Sequence, residues 1–156
     1  MYLLLAGRAD AQIFINVTGE WNYSVSVNDI TEAGNDFQGT YSSASNQVLI
    51  DVRQRNFFFD LFFNYNWRVD IRKSDIDWHP NLVLSARRTG NGSPLFFSGN
   101  VNGGTTYQQV SNANQSFFSG NRSRLDIPVQ YRISGVSVLL PAKAYTTTVV
   151  YTVTDL

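Results

Sequence analysis

Cysteine is absent from the 156 residues, which excludes disulfides, thiolate metal sites, iron–sulfur clusters and a cysteine nucleophile. Histidine occurs once, leaving little material for an imidazole-based catalytic centre. Charge of either sign is scarce, and 12 basic side chains are matched by 12 acidic ones. A binder of nucleic acid or another polyanion needs a basic excess, so that class is set aside. No apolar run reaches the ~18–20 residues of a membrane-spanning helix. Good helix formers are few as well: Lys and Glu number two each, against ten Arg and ten Asp. The sequence is expected to be non-enzymatic and to need no cofactor.

What is present points to strands. Surface polarity comes from 15 Asn, 15 Ser, 11 Thr and 11 Gly, residues of turns, caps and sheets rather than helices. With 43% hydrophobic residues the chain can build one sizeable core. The dominant period is two. From Ile13 to Val27 the odd positions read Ile, Ile, Val, Gly, Trp, Tyr, Val, Val, while the even ones are mostly polar. Fifteen extended residues would span about 50 Å, whereas a domain of this size is only on the order of 35–40 Å across. Either the ribbon breaks at Gly19 or its first half projects beyond the body. Further strands are expected at Val48–Val52, the aromatic run Phe57–Phe63, Trp67–Arg72, Leu82–Ala86, Leu125–Ile133 and Tyr145–Thr154. Pro128 cannot donate to a ladder, so its strand is expected at an edge or with a bulge. Ala33–Asn46, Thr89–Pro94 and Ser98–Asn121 read as turns. The fold class that follows is all-β: a single immunoglobulin-like antiparallel β-sandwich.

The first twelve residues, Met1–Gln12, read as the remnant of a secretory signal. Leu3-Leu4-Leu5-Ala6 is a short apolar stretch, and Ala9-Asp10-Ala11 fits a small-x-small cleavage site. With the Ser/Thr/Asn-rich, Lys-poor composition, this points to an exported, extracellular protein. Five Asn-x-Ser/Thr triplets, at Asn16, Asn22, Asn91, Asn114 and Asn121, stand against about two or three expected by chance in so Asn-, Ser- and Thr-rich a sequence, and carry little weight.

Two clusters carry candidate chemistry. Asp75, Asp77 and His79 alternate along an extended segment, and two carboxylates with an imidazole suit a divalent metal. They also lead into Pro80-Asn81, where aspartates serve turns, and the turn is the preferred reading. The second cluster is aromatic. Adjacent aromatics on a strand point to opposite faces, so Phe58, Phe62, Phe96, Phe97, Phe117 and Phe118 are candidates for exposed stacking or adhesive contacts. The plainer alternative is a thick core with subunit packing.

The segment Leu140-Pro141-Ala142-Lys143-Ala144-Tyr145, followed by the Thr/Val alternation through Thr154, resembles the C-terminal Pro-Ala-Gly-Thr-Tyr-Thr strand of spore-coat-protein-U-like domains, the family that includes archaic chaperone–usher pilins. Val25–Val52 and Trp67–Arg72 are similar in placement to that family's early strands. Lys143-Ala144 replaces Gly-Thr, and the family's N-terminal cysteine pair is missing. The resemblance implies an incomplete sandwich, completed by a strand donated from the N-terminal extension of the next subunit, with a periplasmic chaperone and an usher as partners. On that reading residues 13–19 form the donor extension and 20–156 the pilin-like body. Ile13, Ile15 and Val17 enter a neighbour's groove, and Gly19 is the joint. Burying three or four such side chains contributes on the order of 6–10 kcal/mol before ordering costs. Because donor and acceptor surfaces differ, the contact propagates head to tail. The expected function is therefore a structural subunit of an extracellular filament, self-assembled into a homopolymer. The alternative is a secreted carbohydrate-binding or adhesive module.

Overall fold

The computed structural model describes residues 13–30 and 36–156. Met1–Gln12, read above as a signal remnant, lies outside them, as do Ala33–Asn35 of the first turn-rich stretch. Eleven strands run in chain order: β1 (Ile13–Thr18), β2 (Thr40–Ser42), β3 (Val48–Gln54), β4 (Asn66–Asp77), β5 (Val83–Arg88), β6 (Ser93–Pro94), β7 (Val101–Gly103), β8 (Gln108–Gln109), β9 (Gln115–Asn121), β10 (Arg124–Ser134) and β11 (Thr146–Asp155). One helix, α1 (Phe57–Phe62), and a 3-10 turn at Val27–Asp29 interrupt them. The strands form two antiparallel sheets, an all-β sandwich. The larger sheet follows the order β1-β3-β10-β5-β8, and the smaller β11-β4-β9-β7. β10 is the spine of the larger sheet, with β3 and β2 along one side and β6 and β5 along the other.

The core follows from alternation. On β3, Val48, Ile50 and Val52 point inward while Leu49, Asp51 and Arg53 do not; on β4, Trp67, Val69 and Ile71 face them across the sandwich. Trp67 is fully buried, and its indole N–H donates to the Arg122 carbonyl at 2.7 Å. Registers give the sandwich two poles. Asp77, Val83 and Ser134 lie at one end and Ile13, Gln54, Asn66 and Arg124 at the other, while Val48 and Arg88 both oppose Val129 midway along β10. The 12 residues of β4 run about 40 Å between these poles.

Four expectations are corrected. The aromatic run Phe57–Phe63 is not a strand but the short helix α1. The Asn56 side chain accepts from the Phe58 N–H and its carbonyl from the Asp60 N–H, a helix-starting arrangement that a search for alternation overlooks. Ser98–Asn121 is not merely turns, since β7, β8 and β9 lie within it. Phe117 and Phe118 are both buried, although neighbours on a strand should face opposite ways. A register shift explains this: Ser116 pairs with Asp70 and Phe118 with Val69, so Phe117 is the extra residue of a bulge. Finally, Pro128 sits in the central strand, not at an edge. A residue's N–H and C=O share one side of a strand. The Pro128 carbonyl accepts from Thr89, one residue beyond the end of β5, so the missing N–H falls where the ladder has already stopped. The bulge on this strand lies earlier, between Arg124 and Ile127.

Candidate functional site

The long N-terminal ribbon breaks at Gly19. β1 folds against β3 of its own molecule in six-residue register, from Ile13 opposite Gln54 to Thr18 opposite Leu49. As six residues it spans only about 20 Å, which one body accommodates; within the single molecule the segment is an edge strand, not a projecting arm. Ile13, Ile15 and Val17 share the inner face, but exposure climbs along the strand: Ile13 is 5% exposed, Ile15 half-buried and Val17 41% exposed. Gly19 ends the strand at φ +115°, and a Cβ there would stand 2.4 Å from the Gln47 carbonyl oxygen. Only glycine satisfies both conditions.

Val17 is exposed because the sandwich is open at this pole. A groove of about 1370 Å³ runs between the inner face of the larger sheet and the start of β11, with Trp21, Tyr41, Trp78, Leu84, Tyr131 and Val149 in its wall. The Trp21 ring stacks on Tyr131 at 6.3 Å, and Tyr23 leans on Tyr41 at 4.8 Å. Beneath them the Tyr131 and Tyr151 hydroxyls share a hydrogen bond of 2.7 Å. Burial pushes the Tyr131 phenol up to about 12 and raises that of Tyr151. The Tyr41 hydroxyl is buried without a partner, and burial raises its phenol too. Glu20 and Lys143 are the charged side chains in the wall among the described residues. The groove wall is therefore mainly apolar and aromatic. Two strand edges flank it: among the described residues β1 is paired only with β3, and β11 only with β4.

The opposite pole gathers phenylalanine. Phe58, Phe62, Phe63, Phe96 and Phe97 are exposed. The Arg122 guanidinium lies 5.2 Å from the Phe97 ring centre and reaches the Asp60 carbonyl of α1, tying the helix to the Phe96-Phe97 loop. Of the six aromatics named from the sequence, Phe58, Phe62, Phe96 and Phe97 are at the surface, whereas Phe117 and Phe118 belong to the core. Asp60 anchors this pole: one carboxylate oxygen accepts from the Tyr65 hydroxyl at 2.6 Å and from the Ser123 N–H at 3.1 Å. Burial and the Asp60 contact raise the Tyr65 phenol.

Asp75, Asp77 and His79 are not brought together. Asp75 is bound by Lys73 and by the Thr147 hydroxyl, and Asp77 by Lys143. The His79 Nδ1 accepts from the Asn81 N–H, and its ring meets Tyr145 edge-on. No three His, Cys, Asp or Glu among the described residues could hold a metal ion, and no described helix is long and apolar enough to cross a membrane.

Sequence reasoning passed over Arg88, Arg124 and Asp60, each buried. For Arg88 the signal was there. Extending the Leu84, Ala86 alternation by one step places it on the inner face. No family model, curated protein or solved structure matches the chain.

Proposed function

We propose that the protein is a non-enzymatic structural subunit outside the cell, joined head to tail into a filament by exchange of its N-terminal strand. The observation that carries this reading is the way β1 is attached. It is an edge strand, it gives Ile13 and Ile15 to the core, and it leaves the body through a single glycine at positive φ followed by residues 20–26, which have no ladder. Opening at Gly19 would vacate a slot beside β3 that fits the same strand from another copy. Each buried isoleucine contributes about 1.5–3 kcal/mol to that seat. A chaperone that covers the β3 edge before exchange would fit the same slot.

The test uses the absence of native cysteine. Phe14 and Arg53 are direct partners across β1 and β3, and their side chains are on the outer face. Chains carrying Phe14→Cys alone are mixed with chains carrying Arg53→Cys alone under mild oxidation. Exchange yields the mixed disulfide, because antiparallel partners lie within bonding range. Only unmixed chains after prolonged incubation at high concentration would end the proposal.

The exposed phenylalanines of the α1 pole favour a second reading, an adhesive module. Replacing Phe58, Phe62, Phe96 and Phe97 with serine would then abolish surface or glycan binding and leave strand exchange intact.

A further inference from the structure

Two arginines, Arg88 midway along β10 and Arg124 at its α1 end, face inward, and among the described residues neither forms an ion pair with a carboxylate. Arg88 pairs with Val129 and Arg124 with Val52; both partners are fully buried, so both arginines lie on the inner face of the larger sheet. Arg88 is 4% exposed and Arg124 6% exposed. Arg88 spends its donors on neutral oxygens: Gly103 and Val101 across the sandwich on β7, and Gly90 and Asn91 in the following loop. Its charge is dispersed but not cancelled. Burial and the nearby charge of Arg124 hold its pKa below the usual arginine range.

Arg124 is the anomaly. Its Nε is buried without any partner, and among the described residues its side chain makes no hydrogen bond, ion pair or ring contact. A charged side chain that buries an unpaired N–H is unfavourable, because no bond replaces the one that water would make. The one buried carboxylate of this pole, Asp60, is engaged through Oδ1 with Tyr65 and Ser123, and its Oδ2 has no partner, Arg124 included.

The geometry points to a site for a small oxyanion, of carboxylate, sulfate or phosphate size, held by the guanidinium of Arg124 with Arg88 supplying supporting charge. The planar fork of an arginine matches two oxygens of such an anion at once. The anion completes a donor set that the fold itself leaves open, and it offsets two like charges enclosed together. This site is independent of strand exchange, since neither arginine lies on β1 or in the groove wall.

The experiment compares native protein with Arg124→Met by thermal and urea unfolding in sodium sulfate, sodium acetate and sodium chloride at matched ionic strength. In parallel, the Arg124 Nε–H resonance of the native protein is followed by NMR during sulfate and acetate titration. Sulfate, acetate or both are expected to raise the native folded-to-unfolded ratio saturably, about 100-fold at 100 times the dissociation constant. Arg124→Met should show only the general salt effect common to both proteins, and should be more stable than native protein when oxyanions are absent. The Nε–H signal should shift and saturate with the same midpoint. Equal responses of native and variant protein, or an Nε–H signal that no oxyanion moves, would overturn the assignment. If Arg124→Met does not fold, the native Nε–H titration decides alone.

Discussion

Gly19→Ala is the most informative single substitution, because two costs meet at one atom. At φ +115° a residue with a side chain stores about 1–3 kcal/mol of backbone strain. The new Cβ would also stand 2.4 Å from the Gln47 carbonyl oxygen and 3.2 Å from the Val48 Cα. These are backbone atoms that cannot swing aside, so crowding adds roughly 1–3 kcal/mol. The self-paired molecule should lose about 2–6 kcal/mol, and for a domain of this size the melting temperature should fall on the order of 10 °C. Gly39→Ala is the control: φ is +71°, but the nearest atom to its Cβ is 3.8 Å away, so strain acts alone and about 1 kcal/mol is lost. The backbone-strain part of the penalty belongs to the closed hinge, which opening at Gly19 releases. At 1.4 kcal/mol per tenfold, even a 3 kcal/mol penalty shifts the balance toward exchanged species by more than a hundredfold. The assay is a thermal melt paired with light scattering after size-exclusion chromatography. A Gly19→Ala protein that melts within a degree of native would refute the strain argument. One that is destabilised as calculated yet stays strictly monomeric at all concentrations would refute its coupling to assembly.

Gly120→Ala should also destabilise, by roughly 1–3 kcal/mol, because its Cβ would lie 2.5 Å from Trp67 Cζ2. Trp67→Phe removes that atom, so urea unfolding of the double variant should show less than the summed loss, and strict additivity would contradict the packing. Tyr131→Phe leaves the Tyr151 hydroxyl buried without its 2.7 Å partner and should cost about 1–3 kcal/mol, while the double change to phenylalanine should lie nearer to native. Alkali gives a further check. Burial raises the Tyr131 phenol to about 12 and those of Tyr41 and Tyr151 above 10.0. The folded state thus holds protons that the unfolded state releases, and stability is full below pH 10 and lost as pH rises from 10 toward 12. Phenolate absorbance should therefore grow in step with unfolding above pH 10; ionisation near 10 with the fold intact would contradict it.

The sandwich was legible because alternation survives wherever a strand has one buried face, as in Val48, Ile50 and Val52, or Val149, Tyr151 and Val153. What escaped was local and chemical. A single asparagine, Asn56, turns an aromatic run into a helix through two hydrogen bonds. One extra residue, Phe117, breaks the rule that would have exposed half of an aromatic pair. Arg88 continues the inward alternation of Leu84 and Ala86 but lies beyond the apolar run that marked the strand. The break at Gly19 was legible as one of two options, and a length argument could not choose between them. Only the clash a side chain would make with Gln47 explains why the chain bends there.

The lateral margins of the sandwich are unequal. On one flank the outermost strands, β8 and β7, are two and three residues long, too short to template anything. On the other, β1 and β11 lie close together as ribbons of six and ten residues, rich in Thr, Val and Ile. Charge is missing from both until Asp155. Natural sheets usually blunt such margins with lysine, proline or a bulge. Unwanted association should therefore start from a single flank of the molecule, and a lysine placed at Asn16 or Thr152 should slow fibre formation more than any charge added beside β7 or β8.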